Sequence, residues 1–337
     1  LMLVLAVATW PQPSQPANSS GASSARLAPA AADRRDTDLQ LYDRIAARVA
    51  AGGDYYAAAM TEQRAGNYPV RPGLAVRLPT LAYVTAAVGQ RGLAVLAAGL
   101  GLAVLAAWWR RLAGEPRRNA AMLLLVVGAA LGLKPQYLVL HEVWAGMLLA
   151  LALGLHRTDG GRTHWIGAWI AAALALAVRE HALPFVLLLG ALAAWRRDWR
   201  EAAAWALLAA LFATALALHL AMVDPLLLPT DRPSPSWLAL RGLAGWTGNV
   251  VASSSLHLLP GPIAAPLALL PLIGWMGWRS DAGLTGTLLH AGYGLLFMIA
   301  GRDNNFYWAL MVVPTWFIGL AFVPSTIIRL WQAVRGE

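Results

Sequence analysis

The stretch "GLAVLAAGLGLAVLAAWW", residues 92–109, has no charged side chain and is bracketed by Arg91 on one side and Arg110 with Arg111 on the other. As a helix its eighteen residues would rise about 27 Å, close to the roughly 30 Å of a bilayer's hydrocarbon core. The rest of the chain has the same character. Of 337 residues 58% are hydrophobic and only 13% charged, and the mean hydropathy is +0.55. Such values lie outside the range of soluble domains and mark an integral membrane protein. A net charge of +9 would suggest nucleic acid on a soluble domain. Here the arginines sit in loops between apolar runs, where membrane topology accounts for them. The chain has no Cys, which excludes disulfides and thiolate chemistry. Its 16 Trp fit aromatic belts at the membrane interface.

Working outward from residues 92–109, further apolar segments fall near 119–133, 138–155, 164–178, 182–195, 202–222, 262–278, 284–300 and 306–323. A first run, residues 1–10, would cover only about 15 Å and reads as a shortened first span; a signal peptide is the rival, though the run lacks a basic start and a clear cleavage site. The expected fold is an all-α integral membrane protein of about ten transmembrane helices, with a long first extracytoplasmic loop that contains amphipathic interfacial helices. Its parts are the first helix (1–10), that loop (11–91), the multi-span region (92–323) and a cytoplasmic tail (324–337). Within the loop, the Pro-, Ser- and Ala-rich residues 11–32 read as a flexible connector.

Twelve arginines lie in the short connections 110–118, 156–164, 196–201 and 279–283 and in the tail, so these are expected on the cytoplasmic side. The alternate connections then face outward. Residues 73–90 are apolar but carry Arg77 and Pro79; if they crossed, every later loop would invert, so they read as an interfacial or re-entrant helix.

This orientation gathers the ionisable residues near apolar runs at one leaflet: Lys134, His141, Glu142, Arg179, Glu180, His181, Arg302 and Asp303. Such residues in a membrane are candidates for function. Solvation of helix ends and neutralisation of one charge by its neighbour, as for Arg179 beside Glu180, are the competing explanations.

Four of the 17 acidic residues fall in residues 36–56, "DTDLQLYDRIAARVAAGGDYY". Thr37 with Gln40 fits a helix-capping box, and Gly52-Gly53 a stop. Steps of three or four from Asp38 reach Leu41, Tyr42, Ile45 and Val49, which puts Asp38 at the head of an apolar, membrane-facing stripe. Asp36 and Asp43 fall elsewhere around the cylinder. Charge stabilisation at the helix N-terminus, worth about 0.3–1 kcal/mol, is the structural explanation for Asp38.

An outward acid after the first span, an amphipathic helix beneath it and an interfacial helix before the second span resemble the plan of the GT-C glycosyltransferases. These membrane enzymes use polyprenyl-phosphate sugars and include protein O-mannosyltransferases and lipid A aminoarabinose transferases. The Asp38…Tyr42 spacing is similar to that family's first-loop acid and aromatic. "NYPVRPGLAVRLP", residues 67–79, resembles its Pro-containing lead into an interfacial helix, and "GRDNNFYW", residues 301–308, its basic and aromatic late loop. The chain departs from the family in having no paired acid after Asp38 and no adjacent Pro-Pro in the first loop. No soluble domain follows the last span, which favours a lipid or glycan acceptor over a protein.

The resemblance implies transfer of a sugar from a polyprenyl-phosphate donor to an acceptor hydroxyl on the extracytoplasmic face of the bacterial inner membrane. Asp38 would be the catalytic base. Arg302, Lys134 and Arg179 are candidates for the donor phosphate. Tyr42, His141, Glu142, Glu180, His181 and Tyr307 are candidates for the substrate. A divalent metal ion is left open, and no other cofactor is expected. A transporter or lipid flippase would instead show an internal repeat and charges near mid-membrane, and an O-antigen polymerase or ligase would carry its large loop late.

Overall fold

The computed structural model describes residues 37–130, 132–158 and 163–335. The readings of residues 1–10 and 11–32 therefore lie outside the described residues.

The described chain is helical, without β-strands; two isolated bridges join Arg71 with Pro233 and Leu238 with Ala300. The helices are α1 (Thr37–Ala50), α2 (Tyr55–Ala65), α3 (Thr80–Arg111), α4 (Arg118–Ala130), α5 (His141–Leu155), α6 (Ile166–Val178), α7 (Leu183–Trp195), α8 (Trp199–Val223), α9 (Gly242–Ala252), α10 (Gly261–Gly277) and α11 (Asp281–Ile299). A broken run of 3₁₀ and α turns over residues 303–322 leads into α12 (Val323–Arg335).

Among the described residues four segments are long and apolar enough to cross a membrane: Gly73–Arg111, Trp199–Leu226, Asp281–Ile299 and Val313–Arg335. Five more apolar helices have 10–17 residues. Where the sequence leads one to expect about ten crossings, length and composition alone thus mark four. A helix of 13 residues, such as α4 or α6, rises only about 20 Å. The last long segment also runs further than expected, because residues 324–335 continue as helix.

Residues 80–90 of the expected interfacial helix and residues 92–109 are joined in α3 across a kink at Gly89, whose φ of 65° is one that a side chain would strain. A second difference is α9, which lies inside the segment expected to be an outward loop, residues 224–260. Its Trp246, Asn249 and Val250 are buried, and it packs on α11 and on the run after it.

The tryptophans do not all sit in interfacial belts. Trp108, Trp205, Trp275 and Trp316 are among the largest fully buried side chains. Burial of an indole demands a partner for its N–H. Trp108 donates to the carbonyl of Ala150 at 2.9 Å, Trp316 to that of Ala268 at 2.8 Å and Trp275 to that of Trp316 at 3.1 Å. Close approach elsewhere depends on small residues: a Cβ on Gly274 would stand 1.7 Å from the Gly319 carbonyl oxygen, so α10 can meet residues 317–322 only with glycine there.

Chain direction separates two ends of the bundle. Helix α5 begins with His141 and ends before His156, whose ring meets Glu201 at 2.8 Å at the start of α8. Glu201 is 1% exposed and also accepts from Trp205 at 3.0 Å and Arg196 at 3.1 Å. This knot ties the arginine-rich end. His141, Arg179, Glu180, His181 and Arg302 gather at the opposite end, where α5 starts, α6 stops and α11 stops.

Candidate active site

At that opposite end lies a cavity of about 730 Å³. Its wall is drawn from distant parts of the chain: Asp38, Tyr42 and Ile45 of α1, residues 66–69, Arg77 before α3, His141 of α5, Arg179, Glu180 and His181 between α6 and α7, residues 232–237, and Arg302, Asn305, Tyr307 and Trp308 after α11.

Asp38 is exposed at the cavity edge, and the Tyr68 hydroxyl donates to its Oδ1 at 2.7 Å. The stripe it heads faces protein rather than the bilayer. Leu41, Ile45 and Val49 pack with Tyr55, Ala59, Met60, Val70 and Val76 in a small core of their own. The amphipathic face was legible, but its cover is α2 and the residues after it. One turn on, Tyr42 meets the His141 ring edge-on at 5.2 Å and its hydroxyl accepts from Arg77 Nε at 3.2 Å. Burial pushes the neighbouring Tyr55 phenol well above its ordinary range, so it stays protonated and donates to the Arg77 carbonyl at 2.6 Å.

The inner wall is a network of charges. Arg179 is 1% exposed; its Nε stands 2.8 Å from Glu142 Oε1, and its Nη1 donates to Glu180. Arg77 Nη2 approaches the same Glu142 oxygen at 3.9 Å. Glu180 Oε1 is 2.9 Å from His181 Nδ1, and the His181 ring packs edge-on against Trp308 at 4.5 Å. Tyr293 donates to the His181 carbonyl and so ties α11 to this connection. Glu142 is wholly buried behind Arg179 and does not itself line the cavity.

Arg302 also lines the wall. Its own backbone N–H donates to Asn305 Oδ1 at 3.0 Å and its Nε to the same oxygen at 3.4 Å, while Asn305 Nδ2 donates to the Tyr307 hydroxyl at 3.2 Å. Lys134 is exposed and is not among the lining residues, so the cavity does not contain it. Of the residues singled out from sequence, eight line the cavity, Glu142 supports it and Lys134 stands apart. The sequence marks Arg77 only as a topological clue and Trp308 only as part of the aromatic loop 301–308, and it carries no sign of Arg232 or Trp237. The one usable signal for Arg77 was its cost: an arginine within an apolar stretch needs a partner.

Among the described residues no three His, Asp or Glu side chains cluster as a metal site. Glu142 and Glu180 are already engaged by Arg179, so the donors here do not fit a divalent ion.

A strap over residues 226–237 closes one side of the cavity. Arg64 of α2 holds both Asp231 oxygens, at 2.7 and 2.8 Å, and Arg232 donates to the Asn67 carbonyl at 2.8 Å. The Arg64 hydrogen bonds lower the Asp231 carboxyl to about 2. A group depressed in the folded state stabilises it above its unfolded value, about 3.9, and that contribution is lost as pH falls toward 2. The expected outcome is that Asp231→Asn lowers the thermal midpoint at pH 6 and that the gap between variant and wild type closes between about pH 4 and 2. A gap constant over that range would refute the pairing.

No protein-family model matches this chain, and neither a curated protein nor a solved structure matches it.

Proposed function

We propose that the chain is a multi-pass membrane glycosyltransferase of GT-C plan, which moves a sugar from a polyprenyl-phosphate donor to a hydroxyl of a lipid or glycan acceptor. The observation that carries this reading is that Asp38 and Arg302 line one cavity. A carboxylate and a guanidinium are the two groups that such a transfer needs: one to take a proton, one to hold the leaving phosphate. The cavity's position at the end opposite the arginine-rich connections supports an active site on the extracytoplasmic side of the inner membrane. Leu74, Leu81 and Ala82 of its wall, next to the exposed Tyr83 and Val88 of α3, offer an apolar path for the prenyl chain.

In the step itself, the acceptor oxygen bonds to the anomeric carbon while the bond from that carbon to the phosphate oxygen breaks. The bonding pair leaves with polyprenyl phosphate, whose developing charge Arg302 stabilises, and the hydroxyl proton passes to Asp38.

The test is to reconstitute the full chain in lipid nanodiscs, supply polyprenyl-phosphate hexoses and pentoses with a lipid extract as acceptor, and follow formation of polyprenyl phosphate. Protein-dependent formation from at least one donor is expected. None from any donor, with folded protein, would refute the transfer reading.

A further inference from the structure

The depth of the cavity and its rim differ in charge balance. In the depth, Arg179 lies between Glu142 and Glu180, and Arg77 faces Glu142. Two guanidinium groups meet two carboxylates. His141 and His181 beside them have an ordinary value of about 6.5, which leaves imidazole mostly uncharged at neutral pH. The floor therefore carries no net charge.

It still has hydrogen-bonding capacity. Arg179 Nη2 and His141 Nδ1 are buried without a hydrogen-bond partner among the described residues, and both side chains belong to the cavity wall. Buried polar groups of this kind are normally satisfied, so a ligand that brings its own polar atoms gains by meeting them. At the rim the balance is different. Arg302 and Arg232 donate to a side-chain amide oxygen and a backbone carbonyl, both uncharged, and of the carboxylates that line the cavity only Asp38 lies outside the Arg179 network. The cationic surplus lies there.

Resting on the transferase reading, we infer that the donor sugar is an uncharged polyhydroxyl sugar seated on the Arg179–His141 floor, with its phosphate at the Arg302–Arg232 rim. A sugar hydroxyl can accept from Arg179 Nη2, and another can pair with His141 Nδ1 as acceptor or donor according to the tautomer, without upsetting the balance. An aminosugar cation would meet Arg77 and Arg179 with no carboxylate to spare, and a uronate would face Glu180, with both guanidinium charges already matched. Arg179, enclosed by two carboxylates, is thus a sugar-binding residue and not the phosphate ligand expected from sequence.

The experiment compares three polyprenyl-phosphate donors in nanodiscs, carrying a neutral hexose, an amino-hexose and a hexuronate, for wild type and Glu180→Gln. Wild type is expected to favour the neutral sugar at least tenfold in kcat/KM. Glu180→Gln leaves the floor one cation in excess, so its ratio of uronate to neutral sugar should rise tenfold or more. Because each ratio is taken within one preparation, loss of folded protein cancels. Wild-type preference for a charged sugar, or an unmoved ratio in the variant, would overturn the inference. If wild type consumes none of the three and no pentose donor either, the transfer reading falls, and direct binding of the same donors decides: tenfold tighter binding of the neutral one upholds an uncharged floor, and equal or weaker binding overturns it.

Discussion

Asp38→Asn is expected to lower sugar transfer by about 10²–10⁴-fold while leaving the fold intact, the range typical for removal of a general base. The substitution is gentle. Asp38 is exposed, and an asparagine carbonyl can still accept the Tyr68 hydroxyl that now bonds the carboxylate at 2.7 Å. What it removes is the ability to take a proton at neutral pH. The check is the initial rate of polyprenyl phosphate formation beside a thermal midpoint for the same preparation. Near-normal turnover with an unchanged midpoint would remove Asp38 from the mechanism and leave it a surface acid at a helix start.

Arg179→Met should cost about 3–5 kcal/mol of stability, because it leaves Glu142 buried and deprived of its near partner. Only Arg77, at 3.9 Å, would remain to compensate that carboxylate. The expected result is a sharp fall in the yield of monodisperse protein. Adding Glu142→Gln to the same chain restores the match, since Arg77 and Glu180 are then one cation and one anion, and should recover at least half of the loss. A double variant no better than the single one would mean that the two charges do not act as a pair, since coupled residues depart from additivity.

How far the site was legible depends on what kind of information each residue carries. Arg179, Glu180, His181, His141 and Arg302 are charged or titratable groups at the edges of apolar runs, and the cost of placing them there singled them out from sequence. Asp38 emerged from helical periodicity. The same periodicity could not tell that the stripe beneath it would be covered by Tyr55, Met60 and Val70 instead of lipid, since both covers are apolar. Lys134 was indistinguishable in sequence from its neighbours; whether the side chain at a helix approach points inward is a matter of tertiary packing. Helix α9 was missed because "GLAGWTGNVVA" is short and rich in small residues, and its helical state depends on burial against α11. Arg232 of the strap, on the Asn67 carbonyl, and Trp308 of the wall, against His181, belong to contacts between segments more than a hundred residues apart, which no local pattern encodes.

That distance has a consequence for how the protein is made. The carboxylate at position 38 is synthesised long before the guanidinium at 302, and Tyr293 fastens α11 to the His181 connection. No early fragment can close the cavity. On the proposed mechanism, a ribosome-bound chain in which position 302 is not yet made holds its carboxylate with no guanidinium there to receive a phosphate, so competence waits for the segment that carries Arg302.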